Sequence, residues 1–136
     1  MTNASAGLPE LKGKKYLSLE TYRKSGKAVR TPVWFAVDPR GTPDAATAKL
    51  YVYTTTDSGK AKRIRRTPVV RIAACDGRGN LTGPWIDARA EIVAGEEFAK
   101  GMRLLNAKYR PWKHLLDLFA CLFPRHERIV LAIWRV

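Results

Sequence analysis

The alternation of apolar and polar residues along the chain predicts six β-strands. Residues 28–37 alternate most clearly, so that the odd-numbered side chains from Val29 to Val37 are expected to share one face. Turn residues such as Gly, Pro, Asn and Asp separate the apolar stretches, and residues 38–49 form a long predicted loop. The other five predicted strands lie within residues 17–24, 50–55, 69–76, 81–93 and 128–136.

Late in the chain a helical period replaces the alternation. Residues 95–109 carry apolar side chains at helical spacing, namely Phe98, Met102, Leu105 and Tyr109. Pro111 ends this helix because proline cannot continue it, and residues 112–123 form a second predicted helix. Two helices are therefore expected before the last strand.

A shorter helix is predicted directly after the third strand. It runs from Gly59 to Arg66, with Asp57 or Ser58 as the N-cap and Pro68 stopping it. Its apolar residues, Ala61 and Ile64, are the ones suited to packing inward. The remaining basic side chains are left for the exposed faces.

The order of these elements predicts a mainly β (α+β) fold. Six strands, a short helix after strand 3 and two helices before the last strand suggest a small barrel or a strongly curled sheet. A chain of 136 residues is the size of one domain. We therefore expect a single domain over residues 1–136, with residues 1–15 as a flexible N-terminal segment.

The net charge of the chain indicates what kind of partner the protein binds. Twenty-five Lys and Arg against twelve Asp and Glu give a net charge of +13, which predicts an anionic partner. The charge alone leaves nucleic acid, anionic lipid and a phosphorylated small molecule open. The longest apolar run, residues 115–123, contains Asp117 and is too short to span a bilayer of about 30 Å.

The first residues and the two cysteines indicate the cellular compartment that is expected for the protein. The first fifteen residues contain no apolar segment typical of a signal peptide. The two cysteines, Cys75 and Cys121, form no CxxC motif, which favours a reducing cytosol over a disulfide framework or a zinc site. We expect a cytoplasmic protein without a transmembrane segment, with at most peripheral membrane contact.

A candidate anion site begins where the third strand ends. Free amides at the start of a helix attract phosphate, and the hydroxyls of Thr54, Thr56 and Ser58 can add hydrogen bonds. Lys60 or Lys62 would supply a compact positive charge. The same residues also fit an ordinary solvated basic helix.

A second candidate lies in the second strand. Pro32 removes a backbone donor and is normally confined to an edge or a bulge. The ladder is therefore expected to be open beside Arg30, Thr31 and Trp34, where backbone groups could bond the edge of a planar ligand and the indole offers a flat surface. An ordinary edge strand is the alternative interpretation.

Three segments carry a resemblance to a known family: "VRTPVWFAVD", "LYVYTTTDSGKAKRIRRTPVVRIAACDGRGN" and "ARAEIV". Over residues 16–136 the chain resembles the pyridoxamine 5'-phosphate oxidase-like split-barrel superfamily, most closely its deazaflavin (coenzyme F420)-dependent branch. The resemblance implies a homodimer of split β-barrels with cofactor clefts at the interface. It also implies that the second strand lines the cofactor ring and that the end of the third strand, with the helix start, holds phosphate.

The site residues that the resemblance implies fall into two sets. The ring-lining set is Arg30, Thr31, Pro32, Val33 and Trp34. The phosphate-binding set is Tyr53, Thr54, Ser58, Gly59 and Lys60, with Lys62 and Arg63 nearby. One position departs from the pattern, because flavin-binding oxidases of the superfamily usually have an arginine where this chain has Gly59.

This departure and the charge favour F420 as the cofactor, with FMN as the alternative. F420 carries a phosphodiester and a polyglutamate tail, which suits the five basic residues between Lys60 and Arg66. The expected activity is hydride transfer from reduced F420 to an electron-poor small-molecule substrate, and the cofactor supplies the chemistry, so no catalytic side chain or metal ligand is assigned. A non-catalytic cofactor carrier is a second reading. A nucleic-acid-binding domain has less support, since no aromatic residues alternate with the basic run.

Overall fold

The computed structural model describes residue 11 and residues 13–38, 49–55, 59–108 and 128–136. Within these residues six antiparallel strands form a closed barrel in the order β1-β2-β3-β6-β5-β4, which confirms the predicted barrel. Two helices are described, one after β3 and one before β6. The elements are β1 (Tyr16–Tyr22), β2 (Ala28–Val37), β3 (Lys49–Thr55), α1 (Gly59–Arg66), β4 (Val69–Cys75), β5 (Ile86–Val93), α2 (Gly95–Lys108) and β6 (Arg128–Arg135).

Most predicted bounds agree with these elements, and two strands differ. The first strand is predicted over residues 17–24 but ends at Tyr22, because Arg23 and Gly26 already close the turn to β2 through backbone hydrogen bonds. The run 81–93 becomes a strand only from Ile86, and Leu81 makes an isolated bridge. Pro84 lacks the N–H that a continuous ladder needs. The predicted helix over residues 112–123 lies outside the described residues.

The barrel interior is filled by the inward-facing residues of all six strands. The predicted alternation of β2 is confirmed, since Val33 and Phe35 are buried in this core and Val37 packs against it. Leu11 is only 1% exposed and belongs to the same core. Burial of one such aliphatic side chain contributes about 1.5–3 kcal/mol.

The two helices pack against different parts of the barrel. Helix α1 buries Ala61 and Ile64 in the interior core, as predicted, and so closes one end of the barrel. Helix α2 lies on the outer surface over β2, β3 and β6. Gly101 permits this approach, because a Cβ at this position would lie 2.7 Å from Cγ1 of Val130 and 3.1 Å from Cδ1 of Tyr51. No helix in the described part of the chain has the length and apolar character needed to cross a membrane.

Candidate functional site

The ladder of the closed barrel is incomplete along one side, where an opening separates part of β2 from β3. These strands pair only between residues 35–37 and residues 50–52. The preceding stretch of β2, residues 28–34, pairs with β1 alone among the described residues. Pro32 lies in this stretch. Its missing N–H interrupts no ladder with β3, because β3 does not pair with β2 here. Among the described residues the β2–β3 ladder is therefore open beside Pro32, as expected from the sequence.

The five predicted ring-lining residues divide between the two faces of β2. Arg30 and Pro32 face outward and are exposed, and Trp34 faces outward but is partly buried by α2. Thr31 and Val33 point into the barrel, so only their backbones lie at the open edge. The Oγ1 atom of Thr31 is buried and has no hydrogen-bond partner among the described residues.

The end of β3 forms the opposite side of this opening. Tyr53 faces outward and packs with Trp34 beneath Leu104 and Leu105 of α2. Thr54 is 8% exposed and faces the interior, so its side chain is directed away from the outer surface. Residues 56–58, which include the predicted Ser58, lie outside the described part of the chain.

Helix α1 places basic side chains at the end of this opening. Lys60 is half-buried and Lys62 is exposed, and neither residue forms an ion pair within the described part of the chain. Burial, and then the charge of Arg63, lowers the pKa of Lys60. A lysine under this desolvation and repulsion would gain free energy from a bound anion.

Arg63 occupies the space beside the glycine that departs from the oxidase pattern. A Cβ on Gly59 would lie 2.6 Å from Nη1 of Arg63, so this guanidinium covers the first turn of α1. Its Nε–H donates to Oγ1 of Thr21 over 2.6 Å. Burial, and then the charges of Arg23 and Arg66, lowers the pKa of Arg63. A guanidinium is therefore present next to position 59, although the residue there is glycine.

The turn between β1 and β2 adds cations that sequence reasoning missed. Arg66 donates from Nη2 to the backbone oxygen of Tyr22 over 3.0 Å, which joins α1 to this turn. Neither residues 21–37 nor residues 59–75 contain an acidic residue. The positive potential at this end of the barrel thus comes from two elements, and the added exposed residues are Arg23, Lys24 and Lys27.

A buried ion cluster on the outer face of the sheet was also missed. Glu20 lies between Arg30 of β2 and Arg71 of β4 in the strand register. Its side chain is 1% exposed, and it accepts hydrogen bonds from Nε of Arg30 at 2.7 Å and Nε of Arg71 at 2.6 Å. The guanidinium carbons of both arginines lie 4.9 Å from the ring centroid of Trp85. One sequence signal could have found the cluster: Glu20 is the only acidic residue between positions 11 and 37.

The electrostatics of this cluster follow from its hydrogen bonds. The bond from Arg71 is the largest cause that lowers the pKa of Glu20 to about 2, and burial opposes it. Burial and the bond to Glu20 raise the pKa of Tyr22, whose hydroxyl donates to Oε1 of Glu20 over 2.6 Å. Glu20 is therefore ionised at every physiological pH and holds both guanidinium groups in place.

A cluster of metal ligands and a reactive cysteine are absent from the part of the chain described. No cluster of three or more His, Cys, Asp or Glu side chains that could hold a metal occurs among these residues. Burial, and then the charge of Asp76, raises the pKa of Cys75, which suits a packed thiol better than a nucleophile.

The barrel order agrees with a comparison of the sequence with protein families. Residues 8–132 match the family model of pyridoxamine 5'-phosphate oxidase. The chain belongs to this family. A search of curated proteins found no significant match for this oxidase-family chain.

Several solved structures resemble this member of the pyridoxamine 5'-phosphate oxidase family, and their names describe different functions. An F420 reductase shares 20% identity with a TM-score of 0.58, over 96% of this chain and 93% of the other. A putative pyridoxamine 5'-phosphate oxidase from Listeria innocua shares 16% sequence identity with a TM-score of 0.57. The match covers 94% of this chain and 89% of the other. The heme storage protein HutZ from Vibrio cholerae shares 14% sequence identity with a TM-score of 0.63. The match covers 92% of this chain and 84% of the other. At these identities the likeness shows the fold alone.

Proposed function

We propose that the protein is an F420-binding oxidoreductase that reduces an electron-poor small molecule. The observation that carries this proposal is the position of the half-buried Lys60, with Arg63 beside it, at the end of an open strand edge. Among the described residues no carboxylate pairs with Lys60, so a ligand that is planar at one end and anionic at the other fits both features. The F420 reductase among the similar structures supports the same choice of cofactor.

The phosphate end of such a ligand would lie at the start of α1. Lys60 would act as a compact point charge there, and Arg63 would add a guanidinium already oriented by Thr21. The helix amides at Gly59 and Lys60 would complete the anion site. A longer anionic tail would continue along Lys62, Arg65 and Arg66, where the exposed surface of the helix is basic throughout.

The planar end would lie along the part of β2 that has no β3 partner among the described residues. Here Pro32 and Trp34 would limit the access of water, and the backbone between Arg30 and Val33 would bond the rim of the ring. When bound, reduced F420 supplies the hydride, and the protein contributes orientation and a dry, polarised pocket. The side chains of Thr31, Val33 and Thr54 would act only indirectly, because they face the barrel interior.

FMN is the second candidate cofactor, and one observation favours it. The guanidinium of Arg63 lies beside Gly59 and so can take the part of the arginine that the oxidase pattern has at this position. A short phosphate would then be sufficient, and the basic surface beyond Lys62 would have no role in binding.

The proposal is tested by titrating the purified protein with F420, FMN and hemin in parallel. We expect F420 to bind most tightly, and Lys60→Ala to weaken its binding about tenfold or more, as the loss of one charge-assisted hydrogen bond predicts. The matched control is Lys14→Ala. This substitution removes the same charge before β1, at the end of the strand remote from Thr21 and α1. Equal loss in both variants, or tightest binding of FMN or hemin, would refute the F420 assignment.

Turnover separates an enzyme from a cofactor carrier. Oxidation of bound, reduced F420 by an electron-poor acceptor, faster than in free solution, is expected for the enzyme. Binding without acceleration across a panel of nitroaromatic, quinone and enone acceptors would support the carrier instead. Binding to nucleic acid that falls about 10³-fold between 50 and 200 mM salt, without any affinity for a cofactor, would support the third reading.

A further inference from the structure

We propose that the outer face of β1, β2 and β4 holds a second anion site, in which Arg30 and Arg71 bind a carboxylate or phosphate group of the substrate. The anion site follows from the contacts of this structure alone. Its assignment to the substrate rests on the proposed function, because only a ligand along the open edge of β2 brings a second molecule beside Arg30.

Glu20 fixes the orientation of both arginines. Its Oε1 accepts from Nε of Arg71 and from the Tyr22 hydroxyl, each at 2.6 Å. Its Oε2 accepts from Nε of Arg30 at 2.7 Å and from Nη2 of Arg71 at 3.1 Å. All four bonds converge on a carboxylate that is 1% exposed. The two guanidinium groups are therefore held before any ligand arrives, which lowers the entropic cost of binding.

Trp85 supports the same arrangement from the other side. Both guanidinium carbons lie 4.9 Å from its ring centroid, within the range of a cation–π contact. Stacking restrains the planes of the two groups, and Glu20 restrains their rotation. Two positive charges are thus kept close together, which is unfavourable unless negative charge offsets both.

Among the described residues Glu20 is the carboxylate that pairs with both arginines, so these three contacting groups carry a net charge of +1. Asp87 lies opposite Arg71 in the strand register without pairing with it, and it lowers the local positive potential. A guanidinium has five N–H donors, and Arg30 uses only its Nε–H within the described residues. Both of its Nη groups remain for a ligand, and its side chain is 54% exposed. The Nη1 group of Arg71 makes neither of the bonds to Glu20, and this side chain is 35% exposed. Planar guanidinium donors of this kind match the two oxygens of a carboxylate or phosphate.

This site is separate from the cations of α1. Thr21 and Glu20 are neighbours in β1 and face opposite sides of the sheet. Arg63 is bonded to Thr21 at the barrel end, whereas Arg30 is bonded to Glu20 on the outer face. One anionic group at Lys60 and Arg63 therefore leaves Arg30 and Arg71 for another. Arg30 belongs to the strand that carries the open edge, and its guanidinium is directed across β1 towards Glu20 and Arg71.

The test uses small probes and the protein without cofactor. Benzoate, phenyl phosphate and the neutral isostere benzamide are titrated against protein labelled with ¹⁵N, and the Nε–H signals of the arginines are followed. We expect the signals of Arg30 and Arg71 to shift with both anions and to stay in place with benzamide. Shifts of equal size with benzamide, or no shift with either anion, would overturn the site.

Conservative variants separate the shape of the site from its charge. Arg30→Lys keeps the charge and removes the planar donors, and we expect it to raise the dissociation constant of benzoate about tenfold. Arg103→Lys is the matched control on the exposed surface of α2, with no expected change. Trp85→Leu, which removes only the stacking surface, should also weaken binding. Equal effects of Arg30→Lys and Arg103→Lys would show that net charge alone attracts the probe, and would refute the site.

Adding F420 distinguishes the possible sources of the anionic group. If the group belongs to the substrate, benzoate and F420 bind together and benzoate still moves the Arg30 signal. Displacement of benzoate by F420 would assign the group to the cofactor and refute the substrate assignment. Signals that shift on dilution of the protein would assign the site to a second copy of the chain and likewise refute it. Benzoate binding without any F420 binding would leave the anion site standing while the proposed function fails.

Discussion

Replacing Glu20 by glutamine tests the physical account of the ion cluster through the stability of the fold. Glutamine keeps the size of the side chain but has no charge, so both Arg30 and Arg71 lose their counterion. The folded protein holds the pKa of Glu20 at about 2, against an ordinary value of 4.5. A shift of this size corresponds to about 3 kcal/mol of folding free energy at neutral pH, and screening at the exposed arginines reduces it to about 2–3 kcal/mol.

The sign of the pH dependence follows from the direction of the shift. Because the pKa is lower in the folded state, the stabilisation is complete above the unfolded value of 4.5 and is lost as the pH falls towards about 2. Roughly 2 kcal/mol should disappear between pH 5 and pH 3 in the natural protein. Glu20→Gln should not lose this free energy, because glutamine does not titrate. The difference in stability between the two proteins should therefore shrink between pH 5 and pH 3.

The assay is urea unfolding at pH 7, 5 and 3, followed by tryptophan fluorescence. Other carboxylates titrate over this range in both proteins, and the difference between the two proteins removes their contribution. Glu91→Gln is the control, since Glu91 is exposed on β5 and its replacement should change stability by less than about 0.5 kcal/mol. A stability difference for Glu20→Gln that stays constant from pH 7 to pH 3 would refute the ionic account of the cluster.

Three further predictions concern the helices and the assembly. Gly101→Ala should lower stability by about 1–3 kcal/mol in thermal unfolding, because the added methyl group meets Val130. This loss is expected although alanine favours helices by about 1 kcal/mol relative to glycine. An unchanged or higher Tm would contradict the close approach of α2 to the barrel. Replacing Arg65 and Arg66 together by Ser should weaken F420 more than FMN in titration calorimetry, with a smaller difference at high salt; equal losses would contradict the tail assignment. Light scattering at micromolar concentration should give twice the chain mass of 15.3 kDa, and a cofactor-bound monomer would refute the proposed homodimer.

Local sequence patterns were sufficient to predict the elements of the fold. A period of two in residues 28–37 and a helical period in residues 95–109 require no distant partner, because each reflects which side of one element is buried. The same holds for Gly59 to Arg66, whose Ala61 and Ile64 are the only residues suited to the interior. Boundaries were less certain where a turn competed with a strand, as at Arg23 and before Ile86.

The candidate site was predicted in part, since Pro32 marks the open edge by its own chemistry. The faces of its neighbours were predicted as well, because Thr31 and Val33 belong to the alternating set that fills the interior. What the sequence could not show is how far β3 pairs with β2. That extent depends on the curvature of a barrel closed by all six strands, and no single strand determines it.

The tertiary structure alone decided which distant charges meet. Glu20, Arg71 and Trp85 lie far apart in the chain. Glu20 meets Arg71 because β1 pairs with β4, and Trp85 joins them because β4 also pairs with β5. In the same way, Arg63 reaches the space beside Gly59 because α1 packs across the end of the barrel onto Thr21. A sequence determines its periodicities locally, whereas the energy of an ion pair depends on a distance in space that only strand register and helix packing establish.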